Sequence, residues 1–183
     1  VLPYLPPLLR SMVLVNELCG ARPGEMCAMR KGDVDTKGKV WVYRPSLHKT
    51  QHRDRPRVIV LGPRAQRLLR PIMKRVTNDD FVFSPAEATR QRNVVKRQNR
   101  KTPVRQNQTD RKKEDTRKSP GDRYDRTGYA QAIRYACKAA RRRNVDVDNW
   151  SPNQLRHACG TRVRRRFGAD AARAVLGHTD ASR

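Results

Sequence analysis

The sequence has little apolar character and no long apolar run. Hydrophobic residues make up 36% of the 183 residues and the mean hydropathy is −0.92, so part of the chain is expected to lie outside any packed core. No apolar stretch approaches the roughly 20 residues that a membrane-spanning helix needs, which argues against an integral membrane protein. No secretory signal peptide is expected either, because the apolar start carries no basic stretch and is interrupted by prolines. Residue 1 is Val rather than Met, so we expect a part excised from a longer protein.

Cysteine and histidine are also scarce, and their spacing fits no metal site. The four cysteines are spread from Cys19 to Cys159 without a C-x-x-C pair, and the four histidines form no H-x-x-x-H or mixed Cys/His pattern. Reduced, buried thiols in a cytoplasmic protein are therefore expected, and a zinc site is not.

Acidic residues are few beside the basic ones. The chain has 42 Lys and Arg against 17 Asp and Glu, a formal net charge of +25. Its length suits one domain with a real core, so residues 1–183 are interpreted as a single unit. A charge this positive calls for a polyanionic partner, and nucleic acid is the commonest one.

Local patterns predict more helix than strand. Apolar spacing predicts a helix over 8–20 that ends at Gly20, and a second short helix is expected between Pro23 and Gly32. Two β-branched segments, 40–43 and 57–61, predict strands joined by a polar loop. The other predicted helices cover 65–76 with a kink or break at Pro71, 129–143 with Ile133, Tyr135, Ala136 and Ala140 inward, 151–168 starting at Ser151-Pro152, and 171–177. The fold class is therefore α+β, mainly helical, with a small antiparallel β-sheet near the N-terminal part.

Residues 90–126 form a basic tract in which lysine and arginine far outnumber acidic residues and large apolar side chains are almost absent. Such a segment buries too little apolar surface to offset its own ordering entropy. We expect a flexible insertion within the domain, or a segment that folds against DNA. Its candidate DNA-binding residues are Arg90, Arg92, Lys96, Arg97, Lys112 and Lys113.

Several cationic side chains outside this tract stand where they could bind a phosphodiester. Arg22 lies at a predicted helix start, where backbone N–H groups also favour an anion. Arg156 and His157 begin a later helix, His178 follows a helix-ending glycine, and Lys49 lies in the loop between the strands. Arginine can grip phosphate oxygens with two N–H groups at once. An arginine-rich chain also yields such a set by chance, so the residues alone leave both interpretations open.

Four segments resemble, in order, the sequence boxes of the tyrosine recombinase (phage integrase) catalytic domain. The segment ELCGARPGEMCAM (17–29) is similar to the first box, T/G-x-R-x-x-E-x-x-x-L. The segment HKT (48–50) is similar to the box that carries the family's lysine in a loop between two strands. SPNQLRH (151–157) resembles the second box, S-P-H-x-L-R-H, and LGHT (176–179) resembles the L-G-H-S/T box. Each box is short, but four of them in the family's order span most of the chain.

The resemblance implies DNA strand cleavage and rejoining by transesterification. In the family a tyrosine attacks the scissile phosphate and forms a 3′-phosphotyrosine bond, so no ATP, metal or other cofactor is implied. Arg22 and Arg156 would clamp the phosphate oxygens, His178 would add a hydrogen bond, and Lys49 would protonate the leaving 5′-oxygen.

Other features of the family follow by the same resemblance. Glu25 would orient the site without touching DNA. His157 would either pack on its helix or lie near the phosphate, and a structural or supporting role is preferred for it. The implied partners are double-stranded DNA and, for the full-length protein, further copies of the chain assembled on it. The implied location is the cytoplasm, at the nucleoid when DNA is bound.

Two departures from the family pattern stand out. Asn153 occupies the place of the second-box histidine, and an amide can hydrogen-bond a phosphate oxygen but cannot take up a proton. All five tyrosines precede the second box, so none matches the family's nucleophile. The chain therefore resembles a recombinase core cut at both ends, which is expected to bind DNA without forming the covalent intermediate.

Two other functions remain open on the sequence. A type IB topoisomerase-like enzyme uses similar arginine, lysine and tyrosine chemistry. A non-enzymatic basic nucleic-acid-binding module of ribosomal or chromatin type would explain the charge, although not the four ordered boxes.

Overall fold

Proline begins most of the α-helices that the structure describes. The computed structural model describes residues 1–46, 57–103 and 120–177, and five of the six α-helices in these ranges have proline as their first residue. Proline suits this position because its fixed φ is already helical and its missing N–H would have no partner there. The helices are α1 (Pro7–Cys19), α2 (Pro23–Cys27), α3 (Pro63–Met73), α4 (Pro85–Gln98), α5 (Arg126–Arg141) and α6 (Pro152–Leu176), and the strands are β1 (Val34–Asp35), β2 (Trp41–Tyr43) and β3 (Ile59–Leu61).

Helix α1 lies at the centre of the core. Its apolar side chains recur at helical spacing, and Leu9, Met12 and Val15 are almost completely buried. This helix packs against α6 on one side and α3 on the other, and it also contacts α2, α4 and β3. The elements that carry the candidate residues are therefore assembled around one hydrophobic helix.

The three described strands form an antiparallel sheet in the order β1-β2-β3. Trp41 pairs with Leu61 and Tyr43 with Ile59, and all four side chains are buried on one face. Val60 lies between them on the opposite face and is 57% exposed. Strands β2 and β3 confirm the two predicted strands, and the mainly helical α+β class with a small antiparallel sheet is confirmed as well.

Several local predictions were wrong. The second helix ends at Cys27, well before Gly32, and α3 continues through Pro71 to Met73. Pro71 lies in the last turn of α3, and the helix ends two residues later at Met73. In α5, Tyr135 is 65% exposed, and the buried tyrosine is Tyr129.

The basic tract begins inside a helix that the sequence analysis did not predict. Helix α4 covers residues 85–98, and Ser84 caps it by accepting a hydrogen bond from the backbone N–H of Glu87 at 3.4 Å. Only Ala88 of this helix is buried. Residues 104–119 of the tract lie outside the described residues, so its expected flexibility stays a prediction.

Helix α6 contains a sharp kink. Gly168 has φ 89° and ψ 176°, which are not helical values, so two helical segments meet there. The helix begins after Ser151 and ends at Gly177 in the left-handed conformation, so the predicted start, interruption and end are confirmed. Among the described residues, no helix has the length and apolarity to cross a membrane.

Candidate functional site

The turn after α1 sets the position of Arg22. Gly20 adopts φ +64°, and its N–H donates to the Asn16 carbonyl at 2.9 Å. The fully buried Asn16 side chain also donates from Nδ2 to the Ala21 carbonyl at 2.8 Å. Buried polar groups of this kind hold their partners firmly, since breaking either bond would leave an unpaired group in the core. The turn that precedes Arg22 is therefore fixed, and Arg22 is the N-cap residue of α2.

Arg22 and Glu25 are held together by two hydrogen bonds. The Arg22 backbone N–H donates to Glu25 Oε2 at 2.7 Å, and Arg22 Nη1 donates to Glu25 Oε1 at 2.9 Å. Glu25 is 3% exposed, whereas the Arg22 side chain is 26% exposed. The Tyr43 hydroxyl, itself buried, donates to the Glu25 carbonyl at 2.6 Å and so ties α2 to β2. Glu25 thus fixes Arg22 while leaving part of its guanidinium accessible.

A second arginine reaches the same carboxylate from the sheet. Arg57 lies just before β3, and its Nε is 3.5 Å from Glu25 Oε1 without making a hydrogen bond. Its Nη1 and Nη2 each donate to the Val175 carbonyl at 3.4 Å. The sequence analysis treated Arg57 only as a strand residue. Its alternation with the buried Ile59 and Leu61 places it on the inward face of the strand, and this pattern could have revealed it.

Arg156 joins the ends of two helices. Its Nη1 donates to the Gly20 carbonyl at 2.7 Å and its Nη2 to the Leu176 carbonyl at 2.6 Å. The residue is only 6% exposed. Loss of hydration on burial, followed by repulsion from Arg22 and Arg57, lowers the pKa of Arg156 to about 10, so it remains charged at neutral pH.

In the described part of the site, Arg22 and Arg57 lie within 3.5 Å of the Glu25 carboxylate, and Arg156 interacts electrostatically with all three groups. Three arginine charges therefore stand against the single negative charge of Glu25 in this cluster. The excess positive charge, partly shielded from water, is an arrangement that favours an anion with several oxygens.

Comparison with known proteins gives evidence on the family and the fold. The family profile described as the phage integrase family matches residues 5–183. This chain belongs to the phage integrase family. The fold of this integrase-family chain is similar to that of the Tn1549 transposon integrase in complex with circular intermediate DNA, with a TM-score of 0.60 and 13% identity. The match covers 93% of the chain described here and 52% of the transposon protein, so the chain spans about half the length of that structure. No curated protein matches the chain.

Two further box residues of this integrase-family chain lie on the outer face of α6. Asn153 and His157 are both exposed, and Asn153 Nδ2 lies 3.0 Å from His157 Nε2. They are four residues apart and so project from the same side of the helix. His157 also lines a concave surface with Arg164 and Arg173, beside the kink of α6.

The remaining candidate residues fall into two groups. Lys49, His178, Lys112 and Lys113 lie outside the described residues. Arg90, Arg92, Lys96 and Arg97 are exposed on α4, where Arg90 pairs with Glu87 at 2.9 Å. Arg22 and Arg156 therefore interact electrostatically in the structure, whereas the described candidate residues of the basic tract lie on a separate helix.

The cysteines of the integrase-family chain are part of its core. All four are free and buried, as expected. Loss of hydration is the main reason that the pKa values of Cys19 and Cys27 are raised to about 12. These two thiols are therefore neutral at physiological pH, which suits packing rather than nucleophilic chemistry.

Proposed function

We propose that this chain is the DNA-binding catalytic core of a tyrosine recombinase, with Arg22 and Arg156 binding the scissile phosphate. The observation that carries the proposal is that the partly exposed Arg22 is paired with the buried Glu25 and interacts electrostatically with Arg156, in a chain of the phage integrase family. Fixed cations of this kind stabilise the extra negative charge of a pentacoordinate phosphoryl transition state more than they stabilise the ground state.

Arg22 is the more exposed of the two arginines and would contact the phosphate directly. Its Nη1 is held by Glu25, and about a quarter of the side chain is exposed. A guanidinium has five N–H donors in a fixed fork, so the remaining donors can bind phosphate oxygens while Glu25 keeps the fork oriented. The role of Glu25 is to fix Arg22 rather than to touch DNA.

Arg156 supplies the second cation from a deeper position. Two of its N–H groups are used on the Gly20 and Leu176 carbonyls. The other donors of its fork remain for a phosphate oxygen near Arg22. Asn153, at the exposed start of α6, would add a hydrogen bond from its amide, with His157 supporting it. Lys49 would donate the proton to the leaving 5′-oxygen, and His178 would bind a non-bridging oxygen.

The attacking tyrosine is the part of the reaction for which these 183 residues offer no candidate in the family's place. Tyr43 and Tyr129 are completely buried, and loss of hydration raises the pKa of each hydroxyl, so neither can reach or attack a phosphate. Their hydroxyls are also occupied, Tyr43 on Glu25 and Tyr129 on Asn16. The proposal is therefore that the chain binds DNA and leaves it uncleaved.

The partner would be double-stranded DNA, bound through more than the central phosphate. The exposed Arg92, Lys96 and Arg97 of α4 are suited to phosphates on either side of the cleavage point, where they would add affinity without reading sequence. The full-length protein would assemble as several copies on DNA.

Two measurements test the proposal on the chain itself. Affinity for a duplex, followed by fluorescence anisotropy, is expected to fall about tenfold in Arg22→Met, because a charge-assisted contact is lost. The matched control is Arg44→Met, which removes an exposed arginine paired with Asp35 at 3.9 Å and should leave the affinity within about twofold. Equal affinities of wild type and Arg22→Met would overturn the proposal.

The second measurement addresses cleavage. Nicked duplexes of randomised sequence are incubated with the chain and run on a denaturing gel. No protein-linked DNA band is expected. Such a band, or relaxation of a supercoiled plasmid by this chain, would contradict the assignment of a core without its nucleophile and would favour a topoisomerase-like activity.

A further inference from the structure

Arg57 occupies a junction between three parts of the fold. Its side chain is 5% exposed and lies next to the Glu25 carboxylate, with Nε at 3.5 Å from Oε1. From there its two terminal nitrogens reach the Val175 carbonyl, 118 positions further along the chain, at 3.4 Å. One guanidinium from the edge of the sheet therefore contacts both α2 and the last turn of α6.

The end of α6 is shaped around this guanidinium. Gly177 follows α6 with φ +61°, and a Cβ built on it would collide with Nη1 of Arg57 and would lie 3.0 Å from its Cζ. A side chain at position 177 would therefore have to displace the Arg57 guanidinium, and it would also be strained by the backbone angle. Gly177, the first residue after α6, lies directly against Arg57, and position 178 follows it in the chain.

The electrostatic balance also depends on Arg57. Glu25 Oε1 accepts the hydrogen bond from Arg22 and faces Arg57 at the same time. With Arg57 removed, the buried carboxylate would have one close cation instead of two and free space on one side. Because the Arg22 fork is held by this same oxygen, the orientation of Arg22 would loosen.

From these contacts we infer that Arg57 is a positioning residue of the phosphate site, which locks the Glu25–Arg22 pair to the C-terminal end of α6. This inference rests on the proposed function, since it assigns Arg57 to the site in which Arg22 binds phosphate. In this role Arg57 makes no contact of its own with duplex DNA. It acts through Arg22 and through the chain at Gly177.

A double-mutant cycle tests this on duplex affinity. Arg57→Met is expected to weaken binding about tenfold on its own and less than about twofold when Arg22 is already methionine, because residues that act through one another do not contribute additively. Effects that simply add would overturn the inference. Arg57→Lys keeps the charge but cannot reach Glu25 and Val175 together, so it is expected to fall between wild type and Arg57→Met. If Arg57→Met does not fold, the duplex affinity of Arg57→Lys, with and without Arg22→Met, decides the test.

A spectroscopic reading separates positioning from general destabilisation. The guanidinium ¹⁵N–¹H signals of Arg22 should be sharp in the wild type and should broaden or shift in Arg57→Met and, less so, in Arg57→Lys. The matched control is Arg162→Met, since Arg162 likewise joins α6 to another helix through the Glu17 carboxylate at 2.9 Å and the Glu17 carbonyl at 2.7 Å. Unchanged Arg22 signals in a folded Arg57 variant, or equal changes in the control, would refute the positioning role.

The two proposals fail in different ways. If Arg22→Met binds duplex as tightly as the wild type, the phosphate-binding role of Arg22 is lost. The Arg22 signals in the Arg57 variants then still report whether Arg57 positions that side chain.

Discussion

Arg156 and Leu176 belong to the same helix, yet they are joined by a hydrogen bond across twenty positions. Arg156 Nη2 donates to the Leu176 carbonyl at 2.6 Å. A straight helix would hold these residues about 30 Å apart, because each residue adds about 1.5 Å. The kink at Gly168 instead returns the second segment of α6 to the first, and Leu176 packs against Gly160. One buried guanidinium closes the fold-back.

Gly168→Ala is predicted to destabilise the protein by about 1–3 kcal/mol, because φ 89° with ψ 176° is a backbone conformation almost confined to glycine. No atom lies within 4 Å of the position that a Cβ would take, so the cost should come from the backbone alone. Chemical denaturation measures it. Gly62→Ala is the matched control, since Gly62 has equally open space and φ −70°, and its substitution should cost at most about 1 kcal/mol.

Glu25→Gln is predicted to lower the free energy of unfolding by about 3–5 kcal/mol, because it removes the negative charge between Arg22 and Arg57. The comparison is Glu17→Gln, which breaks the exposed ion pair with Arg162 and should cost about 1 kcal/mol or less. Equal losses in the two variants would show that the Glu25 cluster contributes no more than a surface pair.

Stability is predicted to fall as the pH rises above about 9. Burial raises the pKa of Cys19 and Cys27 from 9.0 to about 12, so in this range the unfolded chain releases protons that the folded chain keeps. Each such thiol should lower the free energy of unfolding by at most about 1.4 kcal/mol per pH unit between its two pKa values. Arg156, whose pKa is lowered to about 10, acts in the opposite direction only above that pH.

The measurement is a series of denaturation curves from about pH 8 to about pH 10 under reducing conditions. Burial raises the pKa of Cys159 as well, so Cys27→Ala should flatten the decline only in part, because it removes one of the thiols that contribute. Any constant cost of the substitution at neutral pH does not change this slope. A decline equally steep in wild type and Cys27→Ala would contradict the assignment to Cys27.

Removing charge from α4 is predicted to reduce the salt dependence of duplex binding. If Lys96 and Arg97 each neutralise a phosphate, the double change to glutamine should lower the slope of log affinity against log salt by about 1.8. Arg64→Gln with Arg67→Gln removes the same charge from the exposed face of α3 and should change the slope less. Equal slopes for both double variants would show that α4 has no special place on DNA.

The elements that could be predicted from the sequence are those whose signals are local. Local signals of this kind are Pro152 after Ser151, the glycines at 20 and 177, and the β-branched runs. Each acts through its own backbone, so these helix starts and ends and strands β2 and β3 could be predicted. Strand β1 was missed because its two residues become a strand only through pairing with β2. Helix α4 was missed because its capping signal at Ser84 and Glu87 was outweighed by the basic composition that follows.

The sequence predicts the candidate site only through residues that lie in the four family-like sequence boxes. Motif spacing identified Arg22, Glu25 and Arg156, but it gave no sign that Arg156 is buried. That burial depends on two carbonyls, at Gly20 and Leu176, which come near each other only in the folded chain. The alternation around Arg57 indicates its burial, but its partners could not be predicted, since Glu25 and Val175 lie far away in sequence.

The bond between Arg156 and the Gly20 carbonyl has a consequence for the order of folding. It spans 136 positions, and the five-residue α2 that carries Glu25 is too short to be stable alone. Contacts so distant in sequence are costly to close and form late. We therefore expect the proposed phosphate site to be among the last parts of the chain to form, and a nascent chain that has not yet exposed α6 to lack it altogether.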